Sequence, residues 1–507
     1  MINEYADLSL QDYLDQSDLD INVKQKLSQH MIYTENGSNE IMMTPMAKEL
    51  SPDKLIQEFD EVFELNRYKM NSTLIALEES NKAKVGPRSI ATPWEDRRKS
   101  LTSSFEPSNR DMLSVPSVPP GIKSGRLRPI TLTNALKLLK NNTNSGLPYF
   151  TKKGIVKERV LNKYDTLIKR RDPCILFTRT QEQNKTRNVW GYPMVDTLNE
   201  MCYYSPLLAY QRRLPYRAAL LAPEQVNGSL TRLILRAKQL NAKILSIDFA
   251  AYDTSVKRNL QSLAFNYIKT LFQSQFHNDI ELLFERFNTI GILTPDGVMF
   301  GNHGVPSGST FTNEVDSIVQ VLISTGSRYI TEDDLQVQGD DGVYLIDDNK
   351  VNDLINRFES SGLNVSRDKS YLSDNFAIYL QNLYHIDYLK DGIIGGIYPV
   401  YRALNRIMYQ ERWSTFEDYG ITGKDYYSIR TICILENCKF HPLFRELVKF
   451  IVKRDKYSLA TSEQGISKYV QMLSSTKGAG EILNHQYGDD VSGIKSFESF
   501  KMIKELG

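Results

Sequence analysis

The chain has 507 residues, 41% hydrophobic and 24% charged, which excludes a disordered, collagenous or small disulfide-stapled protein. At roughly 100–200 residues per domain the length implies two to four domains or one large multi-part enzyme. The net charge of +1 conceals segregation, since residues 1–66 carry 14 acidic and 4 basic side chains, whereas residues 82–190 carry 23 basic and 8 acidic.

A basic block of that size is an electrostatic footprint for polyanions, because each phosphate contact releases condensed counterions. The acidic start is read either as a surface for a partner or as a cover for the basic block. No apolar run reaches the roughly 18 residues that a membrane span needs, and the start, Met1 to Gln16, lacks the basic and apolar regions of a signal peptide. No membrane partner is expected. Four cysteines, at 174, 202, 433 and 438, form no disulfide framework, and a reducing compartment is the simpler reading.

In chain order, Ser103 to Pro129 is rich in Pro and Ser and predicts a long irregular segment. Residues 198–221 show Tyr, Leu and Ala at helical spacing. Lys243 to Phe249 predicts a strand rich in β-branched residues, with Asp248 near its end. Residues 308–326 place Phe311, Val315, Ile318, Val319 and Leu322 on one helical face. Leu335 to Ile346 reads as two short strands around a Gly-Asp-Asp-Gly turn, a hairpin with paired acids at its tip. Residues 400–507 are mostly helical in pattern. Together these predict an α+β core with large helical flanks.

The chemical signal is a set of carboxylates at the ends of neighbouring strands. Asp248 is followed by Asp253, and Asp340 and Asp341 occupy the hairpin turn. Like charges packed together are costly unless cations neutralise them. Two Mg²⁺ ions roughly 4 Å apart are the usual device for in-line attack on phosphorus. One lowers the pKa of the attacking hydroxyl and the other holds the leaving pyrophosphate. A lone Gly-Asp-Asp is weak evidence, and a second stands at Gly488-Asp489-Asp490. Its neighbours do not alternate like strands, so it reads as a loop or helix-cap pair.

Order and spacing discriminate. Asn184-Lys-Thr-Arg-Asn-Val189 lies in the basic block. Then come Asp248-x4-Asp253, Gly304-Val-Pro-Ser-Gly308 with Thr312, Gly339-Asp-Asp341 and Lys369. This series resembles the RNA-dependent RNA polymerases of RNA viruses. The phrases at 145–150, 304–312 and 402–406 most resemble picobirnavirus polymerases, with partitivirus polymerases next. The resemblance implies a right-hand fold of fingers, palm and thumb, with an antiparallel palm sheet carrying the active site and large helical flanks. Its segments would be an acidic extension linking fingers and thumb (1–70), fingers (71–190), palm (191–255), a fingers insertion (256–300), palm again (301–390), and thumb with C-terminal segment (391–507).

The resemblance also implies roles for single residues. Asp248, Asp340 and Asp341 would bind the two Mg²⁺ ions, with Mn²⁺ as an alternative, and Lys369 would be a general acid near pyrophosphate. Asp253 would face the ribose 2′-OH, with Thr312 helping to set it. Asp316 stands where many relatives have Asn, and Asn313 is close by, so either could read the ribose. Arg179, Lys185 and Arg187 would bind triphosphate. Ser307 and Gly308 would form a flexible loop near nucleotide and template, Ser145, Gly146, Leu147, Pro148 and Tyr149 would touch the template, and Tyr379 would belong to a primer-grip hairpin.

The activity implied is RNA-directed RNA synthesis, primer-independent, copying and transcribing a double-stranded, segmented viral genome. RNA template and product, ribonucleoside triphosphates and capsid protein would be the partners of a monomer in the virion interior or host cytoplasm. Two rival readings differ. A reverse transcriptase usually has an aromatic residue at the position of Asp253. A non-catalytic, capsid-associated RNA-binding protein has no use for carboxylates converging on strand ends.

Overall fold

The computed structural model describes residues 8–107, 125–476 and 492–506. The chain divides into two compact units. The first takes residues 1–36, 93–178 and 188–380, and the second takes 37–92, 179–187 and 381–507.

The first unit carries two four-stranded sheets. One has the order β2-β1-β4-β5, with β1 at Cys174–Thr180, β2 at Thr186–Gly191, β4 at Ile292–Thr294 and β5 at Gly297–Met299. β1 and β4 are parallel, with Cys174 opposite Ile292. The acidic start joins this body, as Tyr13 and Leu14 pack with Leu293 and Val298. It also meets the basic block directly, since Asp18 accepts a 2.6 Å bond from Arg170.

The other sheet has the order β6-β7-β3-β8, with β3 at Lys243–Ile247, β6 at Leu335–Gln338, β7 at Asp341–Ile346 and β8 at Tyr371–Ser373. Its three pairings are antiparallel. Ile244, Leu245, Ser246 and Ile247 are all buried, as befits a central strand covered on both faces. Helices Pro223–Leu240 and Thr312–Thr325 pack on this sheet.

Two local expectations change. Ser103 to Phe105 end the helix Trp94–Phe105 and are not irregular, because Leu101 and Ser104 are buried with Trp94 on one helical face. The helix expected over 198–221 is Met194–Gln211, followed by a short 3₁₀ turn at Ala218–Leu220. A more consequential difference concerns Thr312–Thr325. Its apolar face is buried as the periodicity implied, but Glu314, Asp316, Ser317, Gln320 and Ser324 are buried as well. This helix has no solvent side.

The second unit is mainly helical. Helices Pro52–Leu65, Ser72–Lys82, Val400–Met408, Gly423–Glu436 and Phe444–Arg454 carry it, consistent with the helical pattern read after residue 400. Phe59 lies edge-on to Tyr401 and to Phe450, with centroids 5.4 and 5.1 Å away. Fully buried Glu78 accepts the amides of Val400 and Tyr401, two of the donors that a helix start leaves unpaired. His441 Nε2 lies 2.9 Å from the same carboxylate. Among the described residues no helix is long and apolar enough to cross a membrane.

Candidate active site

The antiparallel register assembles the acids. Ile247 stands opposite Gly342, so the next pair outward is Asp248 and Asp341, at one edge of the sheet. Gln338 pairs with Asp341, which leaves Gly339 and Asp340 as the two-residue turn between β6 and β7. Gly339 has φ +64°, the left-handed region that a tight hairpin turn requires and that glycine enters without strain. The expected hairpin is present, with Asp340 exposed at its tip and Asp341 half-buried.

The turn is fastened from the helix Thr312–Thr325. Ser317 Oγ accepts the Gly339 amide at 2.7 Å, and Gln320 Nε2 donates to the Gly339 carbonyl at 3.0 Å. Tyr344 Oη in turn donates to Gln320 Oε1 at 2.7 Å. Arg217 and Glu314 form a buried bidentate pair at 2.7 and 2.9 Å, and Arg217 also reaches Gln338 Oε1 at 3.3 Å. Asp248 is held by a different segment. Its amide donates to Ser370 Oγ at 3.0 Å and its carbonyl accepts the Ser366 amide at 2.8 Å. Lys369 lies within that Ser366–Ser370 turn and is exposed.

The three acids act on one another electrostatically. Burial, and then the charges of Asp340 and Asp248, push the Asp341 carboxyl up to about 7. Such mutual repulsion, in a set of hard oxygen donors, suits a divalent cation of the Mg²⁺ type. Among the described residues no group of three or more acids, histidines or cysteines is placed to hold a metal ion.

Asp253 begins the second layer of the site. Its carbonyl accepts the Val305 amide at 2.7 Å, which ties it to the 304–308 loop. Its carboxyl group faces that of Asp316. Asp316 is 3% exposed, and burial followed by the charge of Asp253 drives its pKa well above the usual range. Of the two candidates for reading the ribose, Asp316 is the one that faces Asp253. Asn313 instead donates to Glu314 at 3.3 Å. Thr312 serves the loop, because its hydroxyl lies 2.8 Å from the Pro306 carbonyl and 3.0 Å from that of Ser309.

The loop itself is pinned. A Cβ on Gly308 would stand 1.6 Å from the Trp190 carbonyl oxygen, so only glycine fits there. Glu200, not singled out by sequence reasoning, bonds to Ser309 and Thr310 just beyond. Burial pushes its carboxyl up to about 7, against the pull of those bonds.

The remaining candidates are placed as follows. Ser145, Gly146 and Leu147 are buried and form the turn, with the Ser145 amide and the Thr151 carbonyl 2.7 Å apart. Pro148 and Tyr149 supply its partly exposed surface. Tyr379 is buried at 1% exposure. Arg179, Lys185 and Arg187 are exposed on residues 179–187, which belong to the second unit. Arg97, in the basic block, is buried, donating to the Thr34 carbonyl and to Asn188, and burial lowers it to about 10. It is a structural cation and not a surface for RNA. Gly488-Asp489-Asp490 lies outside the described residues.

A family model described as viral RNA-dependent RNA polymerase matches residues 114–452. The chain belongs to that family. The polymerase is 27% identical over 462 residues to a potential RNA-dependent RNA polymerase of Human picobirnavirus (strain Human/Thailand/Hy005102/-), covering 85% of each chain. It is 28% identical over 278 residues to the RNA-directed RNA polymerase of Cryptosporidium parvum virus 1 (strain KSU-1), covering 48% of this chain and 52% of that one. Its fold matches the crystal structure of the RNA-dependent RNA polymerase of a human picobirnavirus with a TM-score of 0.80 at 24% identity, over 97% of this chain and 100% of the other. The right-hand polymerase fold implied by the resemblance is therefore present.

Proposed function

We propose that this polymerase copies and transcribes a double-stranded, segmented viral RNA genome by two-metal nucleotidyl transfer, without a primer. The observation that supports the chemistry is the convergence of Asp248, Asp340 and Asp341, with Asp341 pushed up to about 7 by burial and then by the charges of the other two. Asp248, Asp340 and Asp341 would hold two Mg²⁺ ions, or Mn²⁺ in their place. When bound, the ions would activate the 3′-hydroxyl and neutralise the triphosphate.

The protein's own groups do the rest. Asp253, set by Asp316, accepts the ribose 2′-OH, which a deoxyribonucleotide lacks. Ser307 and Gly308 shape the loop beside the nucleotide, and Lys369 protonates the leaving pyrophosphate. The resemblance gives Arg179, Lys185 and Arg187 to the triphosphate, where a guanidinium holds phosphate oxygens in pairs. It gives Pro148 and Tyr149 to the incoming template, with Ser145 to Leu147 as their support, and Tyr379 to the grip on the growing strand. The division into fingers, palm and thumb follows the boundaries read from the sequence. Capsid protein as partner, a monomeric state and work inside the virion or host cytoplasm complete the proposal.

The test is incubation with an RNA template, Mg²⁺ and either ribonucleotides or deoxyribonucleotides, with no primer. Template-length RNA from ribonucleotides alone supports the reading. Deoxyribonucleotide incorporation in their place would favour a reverse transcriptase.

A further inference from the structure

The helix Met194–Gln211 reaches two parts of the first unit. At its start the Met194 amide donates to the Ser145 carbonyl at 2.7 Å, in the turn assigned to the template. Six residues on, Glu200 is 4% exposed and spends both carboxylate oxygens on one loop. Oε1 accepts Ser309 Oγ at 2.8 Å, while Oε2 accepts the Thr310 amide at 2.8 Å and Thr310 Oγ1 at 2.9 Å. Ser309 and Thr310 directly follow Ser307 and Gly308. On its other side the loop lies against β2, where the Trp190 amide points to Ser307 Oγ at 3.4 Å.

A neutral acceptor could satisfy one or two of those donors. A buried carboxylate satisfies all three, at a desolvation cost of several kcal/mol that no directly bonded cation offsets among the described residues. Lys153 acts on it only through space, and is itself lowered to about 8 by burial. Both carboxyl oxygens are thus committed to holding the loop.

We propose that Glu200 is a positioning residue for nucleotide addition, clamping the Ser307–Gly308 loop through Ser309 and Thr310 in fixed register with the Ser145–Tyr149 turn. The inference rests on the reading that this loop meets the incoming nucleotide.

Amide exchange read by mass spectrometry, together with steady-state kinetics, tests it on the full chain carrying Glu200→Ala, Glu200→Gln or Thr310→Val. In Glu200→Ala, exchange at 305–311 and the apparent KM for nucleotide should each rise roughly tenfold or more, the loss expected for bonds to a charged acceptor. Amides of β3 and β7 should keep their protection, and RNA affinity should stay within about twofold. Glu200→Gln, which keeps one acceptor, should fall between Glu200→Ala and wild type, and Thr310→Val should change least. A folded Glu200→Ala protein with an unchanged loop, or a freed loop with an unchanged KM, overturns the proposal. So does uniform loss of protection in β3 and β7 in both milder variants, which marks a merely structural role. If the unsubstituted protein adds no nucleotide, the polymerase reading and the positioning role both fail, while the exchange data still show whether the clamp exists.

Discussion

Asp253 and Asp316 face each other carboxyl to carboxyl, and burial, then the charge of Asp253, hold Asp316 well above the usual carboxylate range. That shift favours the neutral form of Asp316, the partner that an Asn would supply. Asp316→Asn is expected to keep the preference for ribose. Asp316→Ala should lose roughly tenfold or more of it, the value of one hydrogen bond. Competing ribo- and deoxyribonucleotide incorporation measures this, and equal behaviour of the two variants would contradict it.

The same pair makes stability depend on pH. The folded protein retains a proton that the unfolded chain releases above the ordinary aspartate value of 3.8. Stability should then fall as pH rises from that value through the folded-state titration. Asp316→Asn removes the cost, so its gain in Tm over the parent should grow as pH rises above 3.8. Scans in EDTA decide it, and a gain that shrinks over that range would show the proton is not there.

Asp340→Ala should lower nucleotide addition by roughly a thousandfold, since losing metal-held charge stabilisation costs several kcal/mol. Asp489→Ala should leave a substantial fraction, because its surroundings do not read as strand–turn–strand. Comparable loss in both variants, each still folded, would reverse the choice between the two Gly-Asp-Asp copies.

Arg217 and Glu314 are 1% and 0% exposed, and removing one partner strands a buried charge. Arg217→Met is expected to cost about 3–5 kcal/mol in urea unfolding. Adding Glu314→Leu should recover a good part of that loss. A single variant as stable as the parent would mean that the pair contributes nothing.

Arg187 and Arg97 should separate by kinetics and folding. Arg187→Ala should raise the nucleotide KM or lower kcat with little change in the salt slope of RNA binding. Arg97→Ala should instead lower Tm, as its guanidinium bonds to Thr34 and Asn188. Arg187→Ala acting on RNA affinity alone would remove it from the triphosphate site.

The strand ends, the hairpin and the order of the acids were legible because each depends on local pattern. What escaped depends on residues far apart in the chain. Glu200 lies 109 residues from Ser309, and Arg217 lies 97 from Glu314, so neither pairing leaves a local trace. The buried polar side of Thr312–Thr325 did leave one. Fourteen helical residues without a lysine or arginine are poorly suited to face water. Arg97 had a signal too, standing on one helical face with Trp94 and Leu101.

The helix Thr312–Thr325 has a consequence for engineering. Because Ser317 and Gln320 are spent on the hairpin turn, two positions that look ready for an apolar replacement are also working parts. Selection for heat resistance alone would favour filling Ser317 or Gln320 with hydrocarbon, and the survivors would be robust proteins that no longer polymerise.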